Sequence, residues 1–344
     1  MNFSMIFFMA LGIALLIFGG DIFVDGACAI ARRLGLSEFL IGATIVSIGT
    51  TLPEVTVSAS SALNGAGEIA YGNAIGSIIC NTALIAGVCI LMKPMKIEGR
   101  SLIIPSAFFF AAAVFYVIIS YTSGDFSRWV GIVLLLVFIA YIVLNMFNVY
   151  KAPRESVIPD GDIMQEKLPF GKEILAEIKG ERTSIPKEII MIVLGALAIA
   201  FGADFLVDST IDVANALGIP QTVISLTVVA LGTSLPELIT ALTSLVKGHS
   251  SLSVGNIIGA NLFNLVLVNG VAVVINPYSV PTSSTIANLN TALVLDIPLM
   301  IGVMAILAIP AIFRGKLSRI QGATLLGLYL AFCAVQFFFC TPAM

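Results

Sequence analysis

The stretch Gly49-Thr50-Thr51-Leu52-Pro53-Glu54 returns as Gly232-Thr233-Ser234-Leu235-Pro236-Glu237, and GNAIGSIICN at 72–81 returns as GNIIGANLFN at 255–264. Both returns lie 183 residues on. At that offset residues 18–88 align with 201–271 without a gap, with 26 identities in 71 positions. FGGDIFVDG at 18–26 pairs with FGADFLVDS at 201–209 in the same frame. Two apolar halves of similar hydropathy would not place the same polar residues at one gapless offset, so the chain is an internal repeat.

The setting of the repeat is apolar. Of 344 residues 58% are hydrophobic and 11% charged, against roughly a quarter charged in an ordinary soluble domain. That excludes a soluble enzyme and a disordered chain. With 17 basic against 20 acidic residues, no electropositive field exists for a nucleic acid. A single histidine, His249, leaves little room for histidine catalysis or a His-rich zinc site. Cys28, Cys80, Cys89, Cys333 and Cys340 match no zinc or disulfide spacing and read as small core residues. The opening MNFSMIFFMALGIALLIF has no basic leader and no small-residue cleavage site, so it reads as a retained first span.

Apolar runs broken by charge, Gly and Pro predict ten helices, at 3–33, 37–65, 71–92, 101–122, 127–150, 187–216, 221–247, 252–275, 288–312 and 317–340. The second and seventh are long and polar for spans, and are expected to be broken. The fold class is therefore all-α integral membrane. Residues 1–150 form a first five-helix repeat, and 187–344 a second. Five spans are an odd number, so the second repeat enters from the opposite side and the two are inverted. The polar segment 151–186 between them reads as a solvated loop with room for a short surface helix, or for a regulatory cation site around Asp160 and Asp162.

Numbering the connections alternately, one set holds 16 of the 17 Lys and Arg residues and the other, with both termini, holds only Arg128. Basic residues stay on the cytoplasmic face. Both termini are thus expected outside the cytoplasm and 151–186 inside it, in what reads as a prokaryotic plasma membrane.

The doubled motif carries the chemistry. Proline lacks an N–H, so Pro53 frees the carbonyl of Gly49 and Pro236 that of Gly232. Freed carbonyls in a bilayer need partners or a polar cavity. Each half then places a glutamate near mid-span, with Thr50 and Glu54, or Thr233 and Glu237, on one helical face. No Lys or Arg sits at comparable depth. Two pseudo-symmetric carboxylates without basic partners point to a cation held by hard oxygen donors, as Ca2+ requires. The alternative is a pair of helix kinks with protonated, hydrogen-bonded glutamates. Asn73, Ser77 and Asn81 form a polar stripe one turn apart, repeated by Asn256 and Asn264 with Ala260 between. Asn73 and Asn256 read equally as glue between helices, whereas Asn81 and Asn264 read as neutral oxygen ligands. Gly72, Gly76, Gly255 and Gly259 permit close helix approach.

These paired motifs resemble the two α-repeats of the sodium/calcium exchanger superfamily of cation/Ca2+ antiporters, in its prokaryotic ten-helix form. The resemblance spans both halves. It implies an antiporter working by alternating access, with a site among the second, third, seventh and eighth helices. It further implies that Glu54 and Glu237 bind Ca2+ with the carbonyls of Thr50 and Thr233, that Thr51, Ser77 and Ser234 add sodium-binding oxygens, and that Asn81 and Asn264 line the centre. It implies no resident cofactor; Ca2+ and Na+ or H+ are cargo, and one monomer suffices for the site. Two positions depart from the sodium-coupled pattern. Ala260 stands where a serine is expected and Asn264 where an aspartate is common. The retained hydroxyls favour Na+ as the counter-ion. With only two central charges, two protons would neutralise the site as fully as one Ca2+, so a Ca2+/H+ exchanger remains the alternative. A passive cation channel is the reading from a different class. An intramembrane enzyme lacks its residues.

Outside the motifs, Asp21 and Asp25, and Asp204, Asp208 and Asp212, read as pairing near helix ends more readily than as lures for cations. Asp296 calls for a hydrogen-bond partner that the sequence does not name.

Overall fold

The computed structural model describes residues 3–151, 185–216, 232–282, 284–286, 288–338 and 341–342. Ten helices run in chain order: α1 (Phe3–Leu34), α2 (Glu38–Leu63), α3 (Gly67–Met92), α4 (Gly99–Thr122), α5 (Arg128–Lys151), α6 (Ile185–Ala216), α7 (Leu235–Val246), α8 (Ser250–Ile275), α9 (Ala292–Arg314) and α10 (Arg319–Phe338). Among the described residues nine are long and apolar enough to cross a bilayer, and α7 is a shorter apolar helix. The first part of the expected seventh span falls on 217–231, and the 151–186 loop largely on 152–184. Both lie outside the described residues. The molecule is an all-α membrane protein, with edges within a few residues of those expected from hydropathy.

Helix α2 is inside-out relative to a helix of a soluble bundle. In α2 the buried face carries Ser47, Thr50, Thr51, Glu54 and Ser58, while Leu52, Val57 and Leu63 are exposed. An apolar outer face suits lipid, and the polar stripe turns inward where partners exist.

Short antiparallel clasps join the helix ends. Met95–Lys96 pairs with Lys316–Leu317, and Asp125–Phe126 pairs with Tyr278–Ser279. Ser284–Ile286 pairs with Leu289–Asn290 and with Thr341–Pro342. The Asn276 amide donates to the carbonyl of Ala62 at 3.1 Å. His249 meets Glu38 at 2.8 Å, and Arg33 meets Glu188 at 2.7 Å. Each of these contacts joins connections of the same parity, as an even number of crossings requires.

α1 and α6 form a layer of their own. Each has 32 residues, or about 48 Å at 1.5 Å per residue, well beyond a hydrocarbon core. They run antiparallel, with Gly12 packed on the backbone of Gly202 and Gly19 on that of Gly195. A Cβ at Gly12 would lie 2.8 Å from the Gly202 oxygen, so glycine is required for this approach. The layer shares a small core with the ends of its neighbours: Phe23 and Ala27 of α1 and Ile199 and Ala203 of α6 pack with Ile41 and Val46 of α2 and Leu252 of α8, while the other helices build a larger core. Lys247, between α7 and α8, reaches back to α1, bonding Asp25 at 2.8 Å and Asp21 at 3.3 Å. Asp21 and Asp25 are thus paired, as expected, but within the body of α1 and not at its end. Asp296 finds its partner in the amide of Gln336 at 3.0 Å.

Candidate functional site

The two proline motifs do not fold alike. Helix α2 continues in α-helical form from Ser47 to Leu63, straight through Pro53. The expected break is displaced upstream, to a widened π-helical turn at Gly42–Val46. There the Ser47 hydroxyl donates to the carbonyl of Gly42, five residues back, at 2.6 Å, and to the carbonyl of Asn256 at 3.0 Å. In the second motif the chain turns at Thr233–Ser234 and a new helix begins at Leu235. Pro236 then sits in a first turn, where its missing N–H leaves no bond unmade. The seventh element is broken as expected; the second is widened instead.

Helices α3 and α8 form the facing wall. Each carries a π-helical segment at the repeat position, Cys80–Ala86 and Asn264–Val268. Such turns re-aim side chains and leave carbonyls to be satisfied by other means. The amide of Asn269 donates to the carbonyl of Asn264 at 3.1 Å in this way. Helix α8 lies close on α2: a side chain at Gly255 would run into the Phe39 carbonyl, and one at Gly259 into Ser47. The counterpart contacts of Gly72 and Gly76 would fall on 222–226, outside the described residues.

Thr50, Thr51, Glu54, Ser77, Asn81, Ser234, Glu237 and Asn264 are all buried, and Thr233 is half-buried at the break. Pro53 and Pro236, each the residue before a glutamate, line the same cleft. The Ser234 hydroxyl meets that of Ser77 at 3.5 Å, joining α7's start to α3. No basic side chain is bonded to either glutamate among the described residues. Among the described residues, every side-chain oxygen and nitrogen of Glu54, Glu237, Asn81 and Asn264 is buried without a hydrogen-bond partner within 3.5 Å, and so is the Thr51 hydroxyl; the Thr50 hydroxyl, given to Asn256, is the polar group that approaches Glu237. Buried polar groups in proteins are nearly always bonded. Four wholly orphaned side chains, two of them carboxyls, fit a cation taking oxygen donors. A narrow cleft of about 10 Å³, room for a single water-sized occupant, adjoins the centre, lined by Gly49, Thr50 and Pro53, by Pro236, and by Ala196, Ile199 and Ala200 of α6.

Asn73 and Asn256 act as ties between helices. The Asn73 amide donates to the Glu54 carbonyl at 3.1 Å and to Ser58 at 2.8 Å. Asn256 accepts from the Thr50 hydroxyl at 3.2 Å. Ser47 was not foreseen, although it stands seven residues before Glu54 on the same face. On α7, Thr240 and Ser244 extend the buried polar stripe from Glu237 and were equally legible.

The family profile described as sodium/calcium exchanger protein matches this chain over residues 4–147 and 187–338, one stretch in each half. The sodium/calcium exchanger MaX1 of Methanosarcina acetivorans is 32% identical, over 96% of this chain and 97% of its own. The inner membrane protein YrbG of Escherichia coli is 34% identical over 78% of this chain and 79% of its own. Among solved structures, the sodium-calcium exchanger NCX_Mj soaked with Na+ and Sr2+ superposes with a TM-score of 0.78 at 28% identity, covering 97% of this chain and 99% of that one.

Proposed function

This chain belongs to the sodium/calcium exchanger family, and from that premise we propose that it is a secondary active antiporter, exchanging Ca2+ for Na+ by alternating access. One observation carries the proposal. Two buried carboxylates, one from each copy of a repeated motif and each next to a proline that lines one shared cleft, have no basic partner among the described residues.

Glu54 and Glu237 supply up to four oxygens to Ca2+, and the main-chain carbonyls of Thr50 and Thr233 extend the shell toward the six to eight that Ca2+ accepts. Asn81 and Asn264 add neutral donors from the facing wall. Thr51, Ser77 and Ser234 offer hydroxyls to Na+. Exchange then follows from electrostatics. A desolvated site of two negative charges is balanced by one Ca2+ or by monovalent cations, and simultaneous occupancy by both sets leaves uncompensated positive charge in a low dielectric. The full transport cycle therefore swaps one cargo for the other.

The architecture proposed is two inverted five-helix repeats, 1–150 and 187–344, joined by the 151–186 loop. The antiparallel packing of α1 on α6 supports it, because Gly12 and Gly195, and Gly19 and Gly202, are counterparts at the repeat offset, so the two glycine contacts exchange under the repeat. The distribution of basic residues supports both termini outside a prokaryotic plasma membrane. A Gln165→Cys variant without native cysteines should stay unlabelled by an impermeant maleimide on intact cells. Labelling there would invert the topology.

Proton coupling is the second reading, favoured by Ala260 and Asn264, which reduce the sodium-binding set. Counterflow separates either exchange from a passive channel. Vesicles holding the purified protein should take up labelled Ca2+ only when a counter-ion is present on the trans side. Uptake without any trans ion would identify a channel.

A further inference from the structure

Cys28 of α1, Glu38 at the start of α2 and His249 at the start of α8 place a thiol sulfur, a carboxylate oxygen and an imidazole nitrogen within 4.8 Å of one another. His249 Nδ1 lies 2.8 Å from Glu38 Oε1. Cys28 is buried at 1% exposure, while Glu38 and His249 are half-exposed, so the cluster has a closed floor and an open rim. In a tetrahedral site with bonds of about 2.0–2.3 Å, ligand atoms stand roughly 3.3–3.8 Å apart. The three atoms are already near that spacing. Sulfur with nitrogen and one carboxylate is a donor set for zinc-class ions and a poor one for Ca2+ or Na+.

The cluster is absent from the repeat. The counterparts of Cys28, Glu38 and His249 at the 183-residue offset are Ile211, Gln221 and Ala66. Central site residues are duplicated, whereas this triad uses the chain's one histidine and occurs once, on the face of the basic connections. A group needed for symmetric exchange would appear in both halves; a group that acts from one face need not.

We propose that Cys28, Glu38 and His249 form a binding site for a zinc-class transition-metal ion, which ties α1 to α2 and α8. Three protein ligands leave one position open to water. Binding releases the thiol proton, and the proton shared between His249 Nδ1 and Glu38, to solvent, so that the metal ion replaces the Glu38–His249 contact. The ion ties α1 to the starts of α2 and α8, on the same side as the Lys247 bridge to Asp21 and Asp25. If the alternating access proposed above moves the α1–α6 layer against the other helices, the bound ion arrests it.

Co2+ titration of the purified full chain is the test. One equivalent should bind and give a thiolate-to-cobalt charge-transfer band, displaced by Zn2+. Cys28→Ser and His249→Gln should each lose the band, and Glu38→Gln should weaken binding by about tenfold or more. Cys89→Ser, at a buried cysteine elsewhere, keeps it. A Glu54→Gln/Glu237→Gln protein should also keep it, which separates this site from the central one whatever is transported. No band in the parent, or a band surviving Cys28→Ser, overturns the site. In vesicles, micromolar Zn2+ should cut Ca2+ exchange by about tenfold in the parent and little in Cys28→Ser. Equal inhibition of the two overturns the tie.

Discussion

On one side of the centre Ser77 and Ser234 bring their hydroxyls to 3.5 Å. On the other side the repeat sets Ala260 opposite Thr51, and the Thr51 hydroxyl is left buried without a partner. The glutamates are duplicated; the hydroxyl pairs are not. The same division runs through the backbone, with α2 continuous across Pro53 and the chain turning at Thr233–Ser234 before Pro236. A repeated sequence has therefore kept its charges, asparagines and threonines in two copies, while one hydroxyl, Ser77 against Ala260, and the helix geometry have diverged. On the proposed reading, the Ca2+ half of the exchange rests on the symmetric part of the site and the monovalent half on the asymmetric part.

The symmetric part is broken most severely by removing charge. Glu54→Gln and Glu237→Gln should each lower Ca2+ flux by about two orders of magnitude, the loss expected when a hard cation forfeits a charged ligand. Both proteins should fold, with thermal stability equal to or above the parent, because an unpaired buried charge has been removed. Near-normal flux in either variant would show that the two carboxylates are not equivalent parts of one site.

A smaller effect sharpens the contrast between the ties. Asn256 holds the Thr50 hydroxyl, so Asn256→Ala should weaken apparent Ca2+ affinity by about tenfold, the equivalent of one lost buried bond. Asn73→Ala, which frees only the Glu54 carbonyl and Ser58 in a half-buried setting, should cost affinity less. Equal losses would mean that both asparagines act on the site through packing alone.

The smallest change addresses the missing hydroxyl. Ala260→Ser would give Thr51 the partner that Ser234 finds in Ser77. Apparent Na+ affinity should improve by about threefold and Ca2+ affinity should hold. Ser77→Ala should move Na+ the other way. If neither variant moves Na+, the hydroxyls do not ligate it.

Much of this was legible in the sequence. Ten apolar runs, the split of basic residues and the paired GT-x-LPE motifs led to the helices and to both glutamates, because a charge in a span without a basic partner has few physical explanations. The break at Pro53 was misplaced for a local reason. Proline marks where a backbone bond is lost, but packing against α8 at Gly255 and Gly259 decides where the helix gives way, and it does so at Gly42–Val46. The Cys28, Glu38 and His249 cluster was hidden because its members come from three elements and share no chain spacing. Ser47 was overlooked because an isolated serine in an apolar run is ordinary, and only its bond to the Asn256 carbonyl gives it a role.

The central claim is that the paired carboxylates exchange Ca2+ for Na+. Its most direct test is efflux of labelled Ca2+ from proteoliposomes at fixed pH, with a proton ionophore present and Na+ and pH gradients imposed separately. Efflux that follows the Na+ gradient, and disappears in Glu54→Gln, is the result expected. Efflux that ignores Na+ and follows an imposed pH gradient would contradict it and identify a Ca2+/H+ exchanger built on the same two glutamates.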